Sequence, residues 1–355
     1  MRVLFIGESW QGSCARSLKE ALRRQPGIRL DEINEDLYIQ KPRTRLLRAA
    51  NRLLMPFYRA EVLQHIMARV EDFRPDVIAV YKGRTITADW VRQLRSRGSL
   101  VVNIYPDCSP HAHGVAHKEA VGAYDLVIST KPFHPVLWRS VYGYRNPCVF
   151  VPQGYDPVLH LEQGPVGNAP FDVTMVATWR PEYGALMRRL GRALGHEKVT
   201  VAIAGNGWAA HRADYPSSWV YGGPRQGLAY LEWLRQGKIA LAPVTREVVI
   251  DGQPQPGDED TTRTYELAAA HTFFIHRRTD FVQRLYDEDS EVPMFDTPEE
   301  LAQKIVHYRS APQERVQMAA AAHRRAVPAY SLDARAAEIV SVLSDWLPNR
   351  KKRAP

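Results

Sequence analysis

The sequence is poor in cysteine and has no long apolar run. Its three cysteines, Cys14, Cys108 and Cys148, stand far apart and share no metal-ligand spacing. So sparse and odd a count excludes a disulfide scaffold and suits a reducing compartment. No stretch approaches the roughly 18–20 apolar residues of a membrane span. Met1 to Gly7 reads as a strand, without the basic and apolar regions of a secretion signal. The expected location is therefore cytoplasmic. Motifs are missing as well. Gly7 and Gly12 are five apart, and Gly205-Asn206-Gly207 lacks the G-x-G-x-x-G spacing. Neither H-E-x-x-H nor an Asp-x-Asp between apolar strands occurs, and no recognised nucleic-acid motif appears.

What is present is ordinary globular composition. The 355 residues are 45% apolar and 24% charged, with 47 Lys+Arg against 39 Asp+Glu, a formal +8. Length favours two domains, since single cores rarely grow past roughly 250–300 residues. Short apolar runs alternate with helical stretches. Val3–Gly7, Pro75–Tyr81, Leu100–Tyr105, Leu126–Ser129 and Cys148–Pro152 read as strands, with helices over Cys14–Arg24 and Ala88–Arg97. Strands in alternation with helices predict a parallel sheet covered on both faces. A Gly/Pro-rich linker at 163–170 breaks the pattern. A second set of strands then follows at Phe171–Val176, Val199–Gly205, Ile239–Pro243 and Thr272–His276, with helices between and after them. The expected fold class is α/β, two Rossmann-like domains over 1–162 and 171–326. Residues 327–355 form a last helix, Leu332 to Leu347, and a basic tail. Ligands of such sheets bind beyond the carboxyl ends of the strands, so the loops there carry the candidates.

The strongest constellation is Asp258-Glu259-Asp260-Thr261-Thr262-Arg263-Thr264-Tyr265-Glu266 at the start of a helix. Thr262 and Thr264 are good capping types, and free amides at a helix start attract anions. Arg263 suits phosphate oxygens, and Glu266 can accept two ribose hydroxyls. An ordinary capped helix would look the same. The second constellation is Gly205-Asn206-Gly207-Trp208, where glycines admit a flat ligand and Trp208 can wall it; an ordinary strand-to-helix turn is the alternative. In the first half, Gln11, Gly12 and Lys82 follow strands. Asp107 does too, with His111, His113 and His117 close behind. Asp107 and His111 are candidate proton acceptors, since histidine titrates near neutrality. Their spacing gives little support to zinc.

At these residues the chain resembles a known family. Thr262–Ala270 followed by Thr272–Ile275 is similar to the Arg-x-x-Glu helix segment of GT-B group-1 glycosyltransferases, and more closely to the CgeB-like family of spore-maturation type. Val80–Gly83, Val102–Asp107, Tyr124–Lys131, Pro152–Pro157, Gly205–Trp208 and Asp296–Leu301 agree in order and spacing, over about Met1 to Ala326. The resemblance implies a GT-B architecture with two Rossmann-like domains facing a central cleft and a terminal helix crossing back to the first. A nucleotide-sugar is then held mainly by the second domain, with Glu266 on the ribose and Thr262, Arg263, Thr264 and Tyr265 at the donor. Asp258 stands where the family has a first glutamate, and Tyr183 where it has a lysine. That leaves Arg180, Arg188 or Arg263 to stabilise charge, so Arg180 is a catalytic candidate.

The expectation is a glycosyltransferase of hexosyltransferase type without a metal or other cofactor. Its acceptor would be a glycan, a lipid-linked molecule or a protein. A sugar-nucleotide epimerase or hydrolase, and a non-catalytic nucleotide- or glycan-binding relative, are the alternatives. Nucleic acid is not expected as a partner. The charge is local: Lys41, Arg43, Arg45, Arg48, Arg52 and Arg59 lie in an acid-free stretch, and Arg350-Lys351-Lys352-Arg353 close the chain. Without these ten, 37 basic residues face 39 acidic ones. The first stretch also holds Leu46-Leu47, Leu53-Leu54-Met55 and Phe57. It suits either weak peripheral contact with an anionic inner-membrane surface or a helix packed on the sheet with a solvated basic face.

Overall fold

The structure, a computed structural model, describes residues 1–38, 45–161, 169–250 and 252–351; the side chains of 45–52 and 349–351 lie outside that description. Two compact units divide the chain. The first runs from Met1 to Pro152 and takes in Val249–Gln255 and the segment from Leu332 onward; the second comprises Gln153–Val248 and Pro256–Ser331. The boundary thus falls ahead of the linker read at 163–170, most of which lies outside the described residues.

In the first unit, strands β1 (Arg2–Gly7), β2 (Arg29–Asn34), β3 (Val77–Tyr81), β4 (Leu100–Tyr105), β5 (Leu126–Ser129) and β6 (Cys148–Phe150) form one sheet in the order β2-β1-β3-β4-β5-β6. Every pairing is parallel. Helices α1 (Cys14–Arg23), α2 (Arg45–Phe73), α3 (Ala88–Ser96), α4 (Val115–Ala123) and α5 (His134–Ser140) join the strands. β3 and β4 are buried at every residue, which is why they read as continuous apolar runs rather than alternating ones.

The second unit repeats the plan. After the short α6 (Pro157–His160) come β7 (Phe171–Val176), α7 (Pro181–Leu194), β8 (Val201–Ala204), β9 (Val220–Gly222), α8 (Leu228–Leu234) and β10 (Gly237–Ala242). A hairpin, β11 (Glu247–Ile250) and β12 (Gln253–Pro256), precedes α9 (Thr262–Ala269), β13 (Phe274–Arg277), α10 (Asp280–Leu285) and β14 (Met294–Phe295). Helices α11 (Pro298–Arg309) and α12 (Pro312–Ala326) follow. Its sheet, β14-β13-β10-β7-β8-β9, is also parallel throughout.

The last helix, α13 (Leu332–Lys351), returns to the first unit. Ala336, Ile339 and Leu343 recur at i, i+3 and i+7, and bury against Val3, Phe5, Leu18 and Leu22. Arg24 pairs with Asp333 at 2.5 Å, and Gln25 Nε2 donates to the Asp333 carbonyl at 3.0 Å. Among the described residues no helix is long and apolar enough to cross a membrane. Of the basic stretch, Lys41 and Arg43 lie outside the described residues, as does the tail beyond Lys351.

Candidate functional site

Parallel pairing brings the carboxyl ends of all strands in a unit to one edge, and in the second unit that edge holds most of the candidates. β7 ends at Val176 and β8 at Ala204, and the two following loops touch. Gly205 has φ +138°, and a Cβ there would sit 1.9 Å from the Ala177 carbonyl oxygen, so only glycine permits the approach. Trp179 N–H donates to the Asn206 carbonyl at 2.8 Å, and Gly207 turns the chain at φ +89°. Trp208 is not a ligand wall. It is fully buried in the core and donates through Nε1 to the Ala177 carbonyl at 2.6 Å. The aromatic side chain at these loops is instead Trp179, missed by sequence reading. It stacks on His211 at 3.7 Å with ring planes 2° apart, and donates through Nε1 to Tyr215 Oη at 3.0 Å. Arg180 follows it as the exposed residue before α7.

At α9 the structure separates residues the sequence grouped together. The Thr261 amide donates to Thr264 Oγ1 at 3.1 Å. His276 Nδ1 lies 2.6 Å from the Arg277 carbonyl and must donate to it. His276 Nε2 is then the acceptor for the Thr264 hydroxyl at 2.8 Å. Thr264 is thus buried and committed to the fold rather than facing a diphosphate. Burial pushes the His276 imidazole down to about 4; the Arg277 carbonyl opposes the shift and the Arg263 charge reinforces it. Tyr265 is likewise core, fully buried, with its hydroxyl donating to Asp260 Oδ2 at 2.6 Å. Asp260 is fully buried too. Arg263 is not a free cation. Its guanidinium donates to the Val176 carbonyl at 3.0 Å and the Pro243 carbonyl at 2.9 Å, tying together the ends of β7 and β10. Thr262 remains half-buried at the first turn, where helix amides lack intrahelical acceptors.

Glu266 behaves differently. Its side chain is 14% exposed, with Oε1 3.9 Å from His160 Nε2. Oε2 is buried and has no hydrogen-bond partner. A carboxyl oxygen in that state has acceptor capacity that none of the described residues uses. Arg277, at the end of β13, is a second unused group that sequence reading missed. Among the described residues its side chain makes no hydrogen bond or ion pair; Phe295 lies 5.4 Å beneath it, and Nε is buried. Burial and the neighbouring Arg246 charge both push its guanidinium below its ordinary value. A lone arginine after a strand carries no motif, so no sequence signal could have found it. Tyr183, where the family has lysine, is buried and accepts from Thr245 Oγ1 at 3.2 Å. Among the described residues no three His, Cys, Asp or Glu side chains gather as a metal site.

The first unit presents its own carboxyl edge. Lys82 follows β3 at φ +61°. Asn103 Nδ2 donates to its carbonyl at 3.3 Å, and His117 Nε2 lies 3.0 Å from the same oxygen. Lys82 Nζ meets Asp107 Oδ2 at 2.7 Å, and His113 Nε2 meets the same oxygen at 2.6 Å. Burial alone would raise the Asp107 carboxyl, but the His113 bond and the Lys82 charge outweigh it and hold the group well below the usual carboxylate range. A carboxylate so stabilised is a weak proton acceptor, which counts against the expected base role of Asp107. His111 packs edge-on against Tyr142 and Tyr144, at 5.5 and 5.9 Å. Gln11 is exposed and Gly12 turns at φ +88°, leading into the Ser13 cap of α1.

Two parallel six-stranded sheets with candidates at the strand ends define the class: this is the α/β fold of GT-B glycosyltransferases. Residues 180–341 match a family model described as glycosyl transferase-like. Among solved structures, sucrose-phosphate synthase from Thermosynechococcus elongatus superposes with TM-score 0.68 at 12% identity, covering 98% of this chain and 100% of that chain. HepE from Anabaena in complex with UDP-glucose gives 0.63 at 14% identity, covering 97% and 100%. AviGT4, a glycosyltransferase involved in avilamycin A biosynthesis, gives 0.61 at 14% identity, covering 98% of each chain. At such identities the likeness establishes the fold. No curated protein matches the sequence.

Proposed function

We propose that this protein is a glycosyltransferase of the CgeB-like kind that moves a sugar from a nucleotide-sugar to an acceptor hydroxyl. The observation that carries the reading is Glu266 Oε2, buried without a partner on the helix at the strand ends. A ribose diol supplies the two donors such a carboxylate lacks. The match of residues 180–341 to the glycosyl transferase-like model supports it, as does the similarity to HepE bound to UDP-glucose.

In the transfer, the acceptor oxygen forms a bond to the anomeric carbon as the carbon–oxygen bond to the diphosphate breaks. The hydroxyl proton leaves to a base or to water, and the departing diphosphate keeps the bonding electron pair. The α9 amides, exposed Arg180 and unpaired Arg277 would offset that charge without a metal. His113 and His111 are the remaining candidate bases. The acceptor is read as a glycan, a lipid-linked molecule or a protein, and the site of action as the cytoplasm. Product analysis by mass spectrometry with each nucleotide-sugar, with and without acceptors, tests the reading. Sugar transfer supports it. Turnover of donor alone would indicate an epimerase or hydrolase, and tight nucleotide binding without turnover a non-catalytic relative.

A further inference from the structure

Glu266 has a neighbour that sequence reading did not mark. The short α6 packs against α9 within the second unit. His160, the last residue of α6, brings Nε2 to 3.9 Å from Glu266 Oε1. The side chains of His160 and Glu266 are 6% and 14% exposed. At 3.9 Å the two atoms are too far apart to hydrogen-bond. Among the described residues His160 Nε2 makes no hydrogen bond, and Glu266 Oε2 is buried without one. Two largely buried groups on different elements therefore end side by side on polar atoms that the described fold does not use. An oxygen placed off the line joining Nε2 and Oε1 lies at hydrogen-bond distance from both.

The imidazole suits a hydroxyl in particular. Nδ1 lies 2.8 Å from the Asp156 carbonyl oxygen and 3.2 Å from the Asp156 amide nitrogen. The backbone thus offers Nδ1 both an acceptor and a donor. With its proton on Nδ1, the neutral ring bonds the carbonyl and Nε2 accepts. With Nδ1 accepting from the amide, Nε2 carries the proton and donates. A hydroxyl also works in both senses. One hydroxyl can donate to Glu266 while accepting from Nε2, or a vicinal pair can give one proton to each residue. A bare hydrogen in place of a hydroxyl serves neither atom. We propose that His160 is a specificity-determining residue: with Glu266 it holds the ribose diol and selects ribonucleotide over 2′-deoxyribonucleotide donors. This rests on the reading of Glu266 as the ribose carboxyl and adds to it a residue from a second element. Sugars carried on thymidine diphosphate, which lacks the 2′-hydroxyl, are then poor donors.

The test is calorimetric titration of the full chain with UDP, GDP and ADP, each beside its 2′-deoxy counterpart. The nucleotide that binds the wild type is expected to lose at least about tenfold in affinity without its 2′-hydroxyl. H160F, which has no ring nitrogen, should shrink that ratio to about threefold or less and leave the deoxynucleotide affinity within about twofold. H160Q, whose amide can reach the place of Nε2, should keep more of the ratio than H160F. A His160 that only supports the fold would weaken both nucleotides alike. If H160F fails to fold, H160M replaces it. Equal wild-type affinity for the two sugars overturns the proposal, and so does an unchanged ratio in the folded variant. Binding of free glucose that H160F abolishes also overturns it, by assigning the pair to a different diol. Weaker nucleotide binding by E266Q with an unchanged H160F ratio would remove His160 and leave the reading of Glu266 standing. No binding of any of the six nucleotides removes both.

Discussion

Thr264 and His276 are joined by a hydrogen bond of 2.8 Å, and through it the start of α9 is fastened to the end of β13. The Thr261 amide donates to Thr264 Oγ1, Thr264 to His276 Nε2, and His276 Nδ1 to the Arg277 carbonyl. Each donor has one acceptor, and only the neutral imidazole completes the chain. Replacing Thr264 by Val removes a buried cap acceptor and leaves the imidazole nitrogen without a donor. We expect T264V to lose about 1–3 kcal/mol of unfolding free energy in urea. Because the relay positions the α9 amides, nucleotide affinity should fall as well. Unchanged stability would show that the relay does not hold the helix.

Acid should destabilise the fold through two histidines. Burial lowers His134 and His276 to about 4, from 6.5 in the unfolded chain. For His134, the Cys108 carbonyl opposes the shift and the Lys131 charge adds to it. Between about pH 6.5 and 4 the unfolded chain binds protons that the folded chain does not, so stability falls as pH falls. Above that window the contribution is complete, at most about 3 kcal/mol per histidine. Thermal melts across the window should show this slope, and H134Q or H276Q should each reduce it.

Glu266 separates binding from stability. Since Oε2 has no partner in the fold, E266Q should leave the melting temperature nearly unchanged or raise it slightly. Nucleoside-diphosphate affinity should drop by roughly tenfold or more, the scale of a lost charge-assisted bond. Calorimetric titration measures it. Equal affinities would remove Glu266 from the site.

Two arginines should behave oppositely. Arg180 is exposed, so R180A should change stability by less than about 0.5 kcal/mol while lowering donor turnover. Arg263 holds the Val176 and Pro243 carbonyls, so R263A should cost about 1–3 kcal/mol of stability as well as activity. Parallel denaturation and turnover measurements distinguish them.

Gly205 should tolerate nothing larger. With φ at +138° and the Ala177 carbonyl oxygen 1.9 Å from where a Cβ would stand, G205A must move the loop after β7. A loss of about 3 kcal/mol or more is expected. Near-native stability by chemical denaturation would contradict the tight approach.

The strand grammar was readable because buried parallel strands leave a local signature. Val77–Tyr81 and Leu100–Tyr105 are apolar runs since both sheet faces are covered. Elements without that signature escaped. β2, Arg29–Asn34, is a half-exposed edge strand of mostly polar residues, and β14 is only two residues long. At the site, sequence brought Glu266, Arg263 and the Gly205 turn to notice through spacing. It could not say which of them the fold would consume. Trp208, Tyr265, Thr264 and Arg263 have the chemistry of ligand groups, yet each is held through side-chain hydrogen bonds to backbone or buried neighbours.

By itself, then, the sequence determined the two-part α/β plan, the strand-end loops as the place for chemistry and an amphipathic last helix from Leu332 to Leu347, which the structure extends to Lys351. These follow from periodicity, glycine and chain order, which are local. Only the tertiary structure decided which polar groups remain unused. Among the described residues it left Glu266 Oε2 and Arg277 Nε without hydrogen-bond partners and paired Asp107 with Lys82 and His113. A hydrogen bond needs two groups within about 3 Å, and residues far apart in the chain reach that distance only when the sheet brings their loops to one edge.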